Sequence, residues 1–283
     1  MKKSKIISVL SLLLFLFGAC LVMYPSVSNW INQRNSTRAF IKYDKSVSKI
    51  DNNYYEEMLD EAAEHNKKIQ ETGSLGASVY MEEQDNLETY NKILDPSKNG
   101  VMAWIRIPKI HVSLPIYHTT EESVLQKAVG HYVGSSFPIG GEGTHSVVTS
   151  HRGLPSARLF TELDLLEKGD VFYIEVLDQK LAYKVDKIST VLPDIEKELD
   201  IIPGEDHVTL VTCTPYAVNT HRLLVRGTRI PYDEKEEQKE IEKAEQNFKT
   251  ETIQRIIFVI CFAIVVFGMT IIIAKRLRDK YSS

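Results

Sequence analysis

Cysteine is scarce in this chain, with three in 283 residues. Cys20 and Cys261 fall inside long apolar runs, so Cys213 stands alone in the polar part and no disulfide framework is available there. An excess of positive charge is also missing. The formal net charge is −4 and no long basic block occurs, which removes the electrostatic footprint of a nucleic-acid binder. Glycine (14) and proline (10) are ordinary in number, which excludes collagen-like and low-complexity architectures. No repeat of solenoid or propeller period is present. No spacing of His, Cys, Asp and Glu suits a metal site, so neither metal nor cofactor is expected.

What is present begins at the two ends. Ile6–Met23 is almost purely apolar behind Lys2, Lys3 and Lys5, and Ile256–Ala274 is apolar ahead of Lys275, Arg276, Arg278 and Lys280. A membrane-spanning helix needs about 20 apolar residues. Basic flanks on the outer end of each run predict both termini in the cytoplasm and the intervening chain outside, a two-pass protein of the cell membrane. A cleaved signal peptide, or a lipoprotein end at Gly18-Ala19-Cys20, is the alternative for the first run.

Between the runs the pattern divides. Residues 26–95 read as helical, with Tyr54, Met58, Ala62 and His65 at spacings of three and four. The segment GSLG at 73–76 and the cluster DPSKNG at 95–100 interrupt them. Residues 96–232 change to short β-favouring stretches: Val101–Ile107, Val112–Tyr117, His145–Ser150, Val171–Val176, Lys180–Val191, Val208–Thr212 and Leu223–Ile230. With turn signals between them, these predict an all-β barrel or sandwich. Ala157–Leu166 reads as a short helix over it. Residues 233–254 are a mixed-charge stalk, 255–275 the second membrane segment and 276–283 a basic tail.

Cys213 ends the stretch Thr209–Cys213, TLVTC, at the close of a strand. A nucleophilic cysteine needs a group to take its proton and return it to the leaving amine, and a cation or donor for the developing oxyanion. Among eight histidines, His151 ends an apolar strand and opens the loop HRGLP, while His221 opens the strand returning from Cys213. On pattern both stay open. Arg222 and Arg226 share a strand face, with Arg229 on the other, and spacing does not choose between the first two.

These stretches together resemble the sortase family. TLVTC followed nine residues later by Arg222 is similar to the family's signature, and TCTPYAVNTHRLLVRG at 212–227 resembles its class C, pilin-polymerising branch. SHRGLP at 150–155, YVGSSFPIG at 132–140 and IRIPKI at 105–110 resemble other family segments. The resemblance spans about residues 90–232. It implies an eight-stranded β-barrel, mainly β overall with short helices. It implies Cys213 as nucleophile, His151 as general acid/base and Arg222 as the cation for the oxyanion or substrate, with Thr212, Leu154 and Pro155 as substrate contacts. The implied reaction cleaves an LPxTG-like sorting signal near the C-terminus of a pilin or surface protein and passes the acyl group to a lysine of another pilin. Class C enzymes usually carry an N-terminal lid with an Asp-Pro-aromatic tripeptide. Here the one Asp-Pro before the β region is Asp95-Pro96, followed by Ser97, and Glu71–Tyr80 has neither residue, so a missing or unconventional lid is expected. Anchoring to peptidoglycan, simple hydrolysis and a non-enzymatic scaffold with an inert Cys213 are the competing readings.

Overall fold

The computed structural model describes residues 2–72, 84–193 and 198–250, with a few further positions up to 262. It divides into two compact units, 1–232 and 233–283. The second is helical over 234–250.

Among the described residues, the first unit opens with the helices α1 (Lys2–Val47), α2 (Asn52–Thr72) and α3 (Gln84–Tyr90). Eight strands follow: β1 (Val101–Ile107), β2 (Val112–Tyr117), β3 (Val129–His131), β4 (Thr144–Thr149), β5 (Val171–Val176), β6 (Gln179–Val191), β7 (Asp206–Thr214) and β8 (His221–Ile230). A one-turn helix, α4 (Glu122–Leu125), lies between β2 and β3. The strands close in the order β1-β2-β3-β4-β7-β8-β6-β5, so the expected eight-stranded barrel is observed and no sheet edge is left open. Pairs β2/β3 and β4/β7 are parallel and the remainder antiparallel.

Alternation along each strand fills the interior. On β7, Val208 and Leu210 join the main core with Ile105, Phe137, Phe160, Phe172 and Val225. Val211 faces outward and packs with Val147, Leu224 and Leu199 in a second, smaller cluster. The outer face of β4, β7 and β8 is therefore also covered, by the segment after β6 that carries Leu199.

The helices pack as the periodicity predicts, with one offset. On α2, Met58, Ala62, His65 and Ile69 are buried. Tyr54 is exposed, and Tyr55 packs against the core in its place, because the buried stripe starts one residue later. On α1, the Tyr43 hydroxyl donates to the Met102 carbonyl (3.1 Å) and accepts from the Leu177 amide (2.8 Å), joining the helix to β1 and to the turn after β5. Phe40 meets Trp104 edge to face, and Arg106 lies over Phe40.

Two expectations change and a third holds. Strand β3 has only three residues, too short for an alternation pattern to register. The helix expected over 157–166 is a series of turns ending in a 3-10 turn, Leu163–Leu165. Leu159 sits at φ 43°, which breaks a helix, while Ala157, Leu159, Phe160, Leu163 and Leu166 are all buried. The apolar spacing there records burial of a compact loop, not helical period. Asp95-Pro96 belongs to a turn: the Asp95 carboxylate accepts from the amides of Asn99 and Gly100, both at 3.0 Å, just before β1. Among the described residues, no helix is long and apolar enough to cross a membrane. Most of Ile256–Ala274, and residues 73–83, which take in most of the Glu71–Tyr80 segment in which a lid motif is expected to be missing, lie outside the described residues.

Candidate active site

Three strand ends meet at one rim of the barrel. In the antiparallel pair β7/β8, Cys213 lies directly opposite Arg222, so their side chains share a face. In the parallel pair β4/β7, Thr149 is level with Val211. His151 follows two residues past this last paired position of β4. That continuation is fastened by hydrogen bonds: the Ser150 amide donates to Val211 O (3.2 Å) and the Thr212 hydroxyl to Ser150 O (2.8 Å). Histidine, cysteine and arginine thus stand in a row at the ends of β4, β7 and β8, with His151 in the loop just past β4.

The register separates the alternatives left open by pattern. His221 is opposite Thr214, one residue out of step with Cys213, and so takes the other face. Arg226 is opposite Thr209 and pairs closely with Asp186. That carboxyl is pushed up by burial and pulled down further by Arg226, with a net position below its usual range. Arg229 faces Asp206 at 3.7 Å. Arg222 donates only to the carbonyls of Asn219 and His221, each at 3.2 Å, and pairs with no carboxylate among the described residues. Its charge is left available at the rim.

The loop after β4 is held from several sides. Arg152 donates to the Thr214 hydroxyl (3.2 Å) and to Asp164 (2.6 Å). The Phe160 amide returns to His151 O (3.2 Å), and the Gly153 amide donates to the Thr161 hydroxyl (3.1 Å). Gly153 has φ +80°, and a Cβ there would lie 2.9 Å from the Tyr216 ring. The loop that follows Cys213 therefore packs against the loop that carries His151, and glycine is what permits both the backbone and the contact.

His151 is partly exposed, and its Nε2 lies 3.1 and 3.2 Å from the two carboxylate oxygens of Glu122 on α4. Cys213 is half-buried and unpaired. Of the expected substrate contacts, Pro155 is exposed and Leu154 half-buried against the core. Thr212 is 1% exposed and its hydroxyl holds the Ser150 carbonyl, so it fixes the His151 loop and presents no surface to a substrate. Glu122, Arg152 and Tyr216 escape sequence reasoning. Arg152 and Tyr216 lie within the motif stretches without being marked by them; Glu122 is 29 residues from His151 with no spacing to mark it.

A polarisable thiol facing a cation across one strand gap, beside a histidine in the loop that follows the next strand, suits acyl transfer through a thioester. Comparison with known proteins agrees. Residues 105–230 match the family model for the sortase domain. Sortase C1 from Streptococcus agalactiae is 47% identical in its crystal structure, with a TM-score of 0.65, covering 69% of this chain and 100% of that one. The chain belongs to the sortase family, class C. A second structure, the sortase C1 of GBS pilus island 1, is 43% identical with a TM-score of 0.63 over 70% of this chain and 94% of that one. Sortase A of Bacillus anthracis is 28% identical over 80% of this chain and 96% of that protein. Sortases are cysteine transpeptidases, and this sortase is one.

Proposed function

We propose that this sortase joins pilin subunits, with Cys213, His151 and Arg222 as its reacting groups. Cys213 Sγ gives its proton to His151 and attacks the threonine carbonyl of an LPxTG-like signal. The carbon–sulfur bond forms and the oxyanion faces the Arg222 guanidinium. Collapse breaks the threonine–glycine amide bond, and His151 returns the proton to the leaving amine. A lysine amine of a second subunit then attacks the thioester, forming the isopeptide bond and releasing the thiol. One observation carries the assignment: Arg222, opposite Cys213, is the strand-face arginine with no carboxylate partner among the described residues. The likeness to sortase C1 structures, one of them of a pilus island, supports a pilin substrate.

The apolar runs and their basic flanks support a two-pass membrane protein with the catalytic unit outside the cell. Anchoring would hold enzyme and membrane-retained substrate together and raise their effective concentration. The likeness to sortase A favours a second reading, transfer to a peptidoglycan amine.

The test uses the full chain in detergent micelles with a sorting-signal protein and a lysine-bearing pilin candidate, read by mass spectrometry. Isopeptide-linked ladders that vanish in Cys213→Ala are expected. Cys213-dependent cleavage with transfer only to a peptidoglycan-type amine would move the acceptor to the second reading. Ladders persisting in Cys213→Ala would overturn the site.

A further inference from the structure

The Glu122–His151 contact differs from an ordinary surface ion pair. Such pairs contribute little when two long side chains must be ordered to make them. Here the backbone at both ends is already fixed. The Ser150 hydroxyl donates to Ala128 O at 2.7 Å, tying the residue before His151 to the segment that follows α4. Within that segment the amides of Leu125 and Gln126 close the turn onto Glu121 and Glu122. Gln126 Nε2 donates to Glu122 Oε1 (3.1 Å), which orients the carboxylate toward the histidine. Both carboxylate oxygens then face the same ring nitrogen, Nε2.

We propose that Glu122 is a positioning residue for the transpeptidation, holding the His151 proton on Nε2 and leaving Nδ1 as the nitrogen that exchanges the proton of Cys213. This inference rests on the catalytic role proposed above for His151. An acceptor-only carboxylate beside Nε2 selects the Nε2–H form of the neutral ring, so the lone pair that takes a proton is on Nδ1. When Sγ passes its proton there, both nitrogens carry hydrogen and the ring is cationic. The carboxylate stabilises that imidazolium, and with it the thiolate, until the Nδ1 proton goes to the leaving amine. The carboxyl of Glu122 is itself held below its usual range by hydrogen bonds from Gln126 and then His151, so it remains an anion through neutral pH. Other groups around the ring are Cys213 and Arg222 on β7 and β8, and Arg152 next in sequence, whose guanidinium is engaged by Asp164. Among these, Glu122 is the anion with a direct contact to the imidazole.

The experiment measures kcat and KM against pH for the full chain in micelles, using a fluorogenic LPxTG-type peptide with hydroxylamine as acceptor. Glu122→Gln keeps the size and the bond to Gln126 but removes the charge. Its kcat is expected to fall about tenfold with KM little changed, and the acidic limb of the profile, where the neutral ring is lost, to move down by about half a pH unit. Glu122→Asp should recover part of both. In the native chain, raising salt to about 1 M should move the limb toward that of Glu122→Gln, and the variant itself should not respond. The salt arm needs no substitution, so a poorly folded variant does not rescue the idea. An unmoved limb in both arms, with His151→Ala inactive, would overturn the role of Glu122 alone. Full activity of His151→Ala would instead overturn the reading of His151 on which it rests.

Discussion

Arg222 and Arg226 stand on the same face of β8, four residues apart, in opposite surroundings. Around Arg226 the outer face of β4, β7 and β8 is closed. Arg226 is paired with Asp186, and His145 is set between the Asp200 carbonyl (3.0 Å) and the Thr209 hydroxyl (2.7 Å). Around Arg222 the same strands end at an open rim, with Tyr216 and Val218 both more than half exposed and, among the described residues, no carboxylate on the guanidinium. One sheet thus carries a structural end, where charge is neutralised, and a reactive end, where charge and apolar surface are left for something else to meet. A cation already matched by a half-buried carboxylate has little to offer a developing oxyanion; one solvated at a rim does.

The sharpest way to break this comparison is to truncate each arginine in turn. Arg222→Ala should lower kcat/KM about 10²–10³-fold, the usual loss for an oxyanion-stabilising group, while thermal unfolding stays near that of the native chain. Arg226→Ala should do the reverse. It strands the half-buried Asp186 and should destabilise by about 1–3 kcal/mol with activity largely retained. Equal activity losses from both would mean that the two ends are not distinct. Peptide cleavage assays and thermal unfolding on the same preparations check this.

A smaller effect is expected at Gly153, which belongs wholly to the reactive end. An added methyl at φ +80° is strained and meets the Tyr216 ring at 2.9 Å. Gly153→Ala should lower kcat/KM about tenfold by shifting the His151 loop, with little change in global stability. Adding Tyr216→Ala should return part of the loss, since it removes the clash but not the strained backbone. A double-mutant cycle measures that recovery, and strict additivity of the two changes would remove the proposed coupling between the loops.

The structural end was the more legible of the two in the sequence. Five strands were bounded within a residue at each end because their apolar stretches stop at turn clusters, as Val101–Ile107 does at Pro108. Strand β3 was invisible because three residues carry no period. The 157–166 segment was misread because a buried loop and a helix face can place apolar residues at the same spacings. At the reactive end, the motif stretches marked Cys213, His151 and Arg222. The register that aligns them, and that turns Thr212 inward, is a relation between strands some 60 residues apart in the chain. Glu122 lay beyond reach for the same reason. Its partner is chosen by the β3/β4 pairing, which brings α4 beside the end of β4, and no local pattern encodes that neighbour.

The mildest test concerns buried histidines at a distance from the row. Burial pushes His131 down to about 3, and His65 and His145 to about 4, against an ordinary value near 6.5. His145 needs no charge: Nδ1 donates to the Asp200 carbonyl and Nε2 accepts from Thr209. His131 is similarly neutral, with Nε2 donating to Ser136 O (2.9 Å) and Nδ1 accepting from Tyr90 (2.7 Å). Each is a base whose folded-state value lies below its unfolded one. Between about pH 6.5 and 4 the unfolded chain therefore binds more protons, and stability rises with pH across that window. Each group contributes roughly 1.4 kcal/mol per pH unit while only its unfolded form is protonated, and the contribution is fully present above pH 6.5. Urea unfolding of the full chain between pH 7 and 4.5 should show this slope. His145→Gln, which keeps an amide donor and an acceptor but cannot titrate, should flatten it by about one proton's worth and leave peptide cleavage at pH 7 close to native. An unchanged slope would mean that His145 is protonated in the folded chain, and that the closed end of the face carries charge after all.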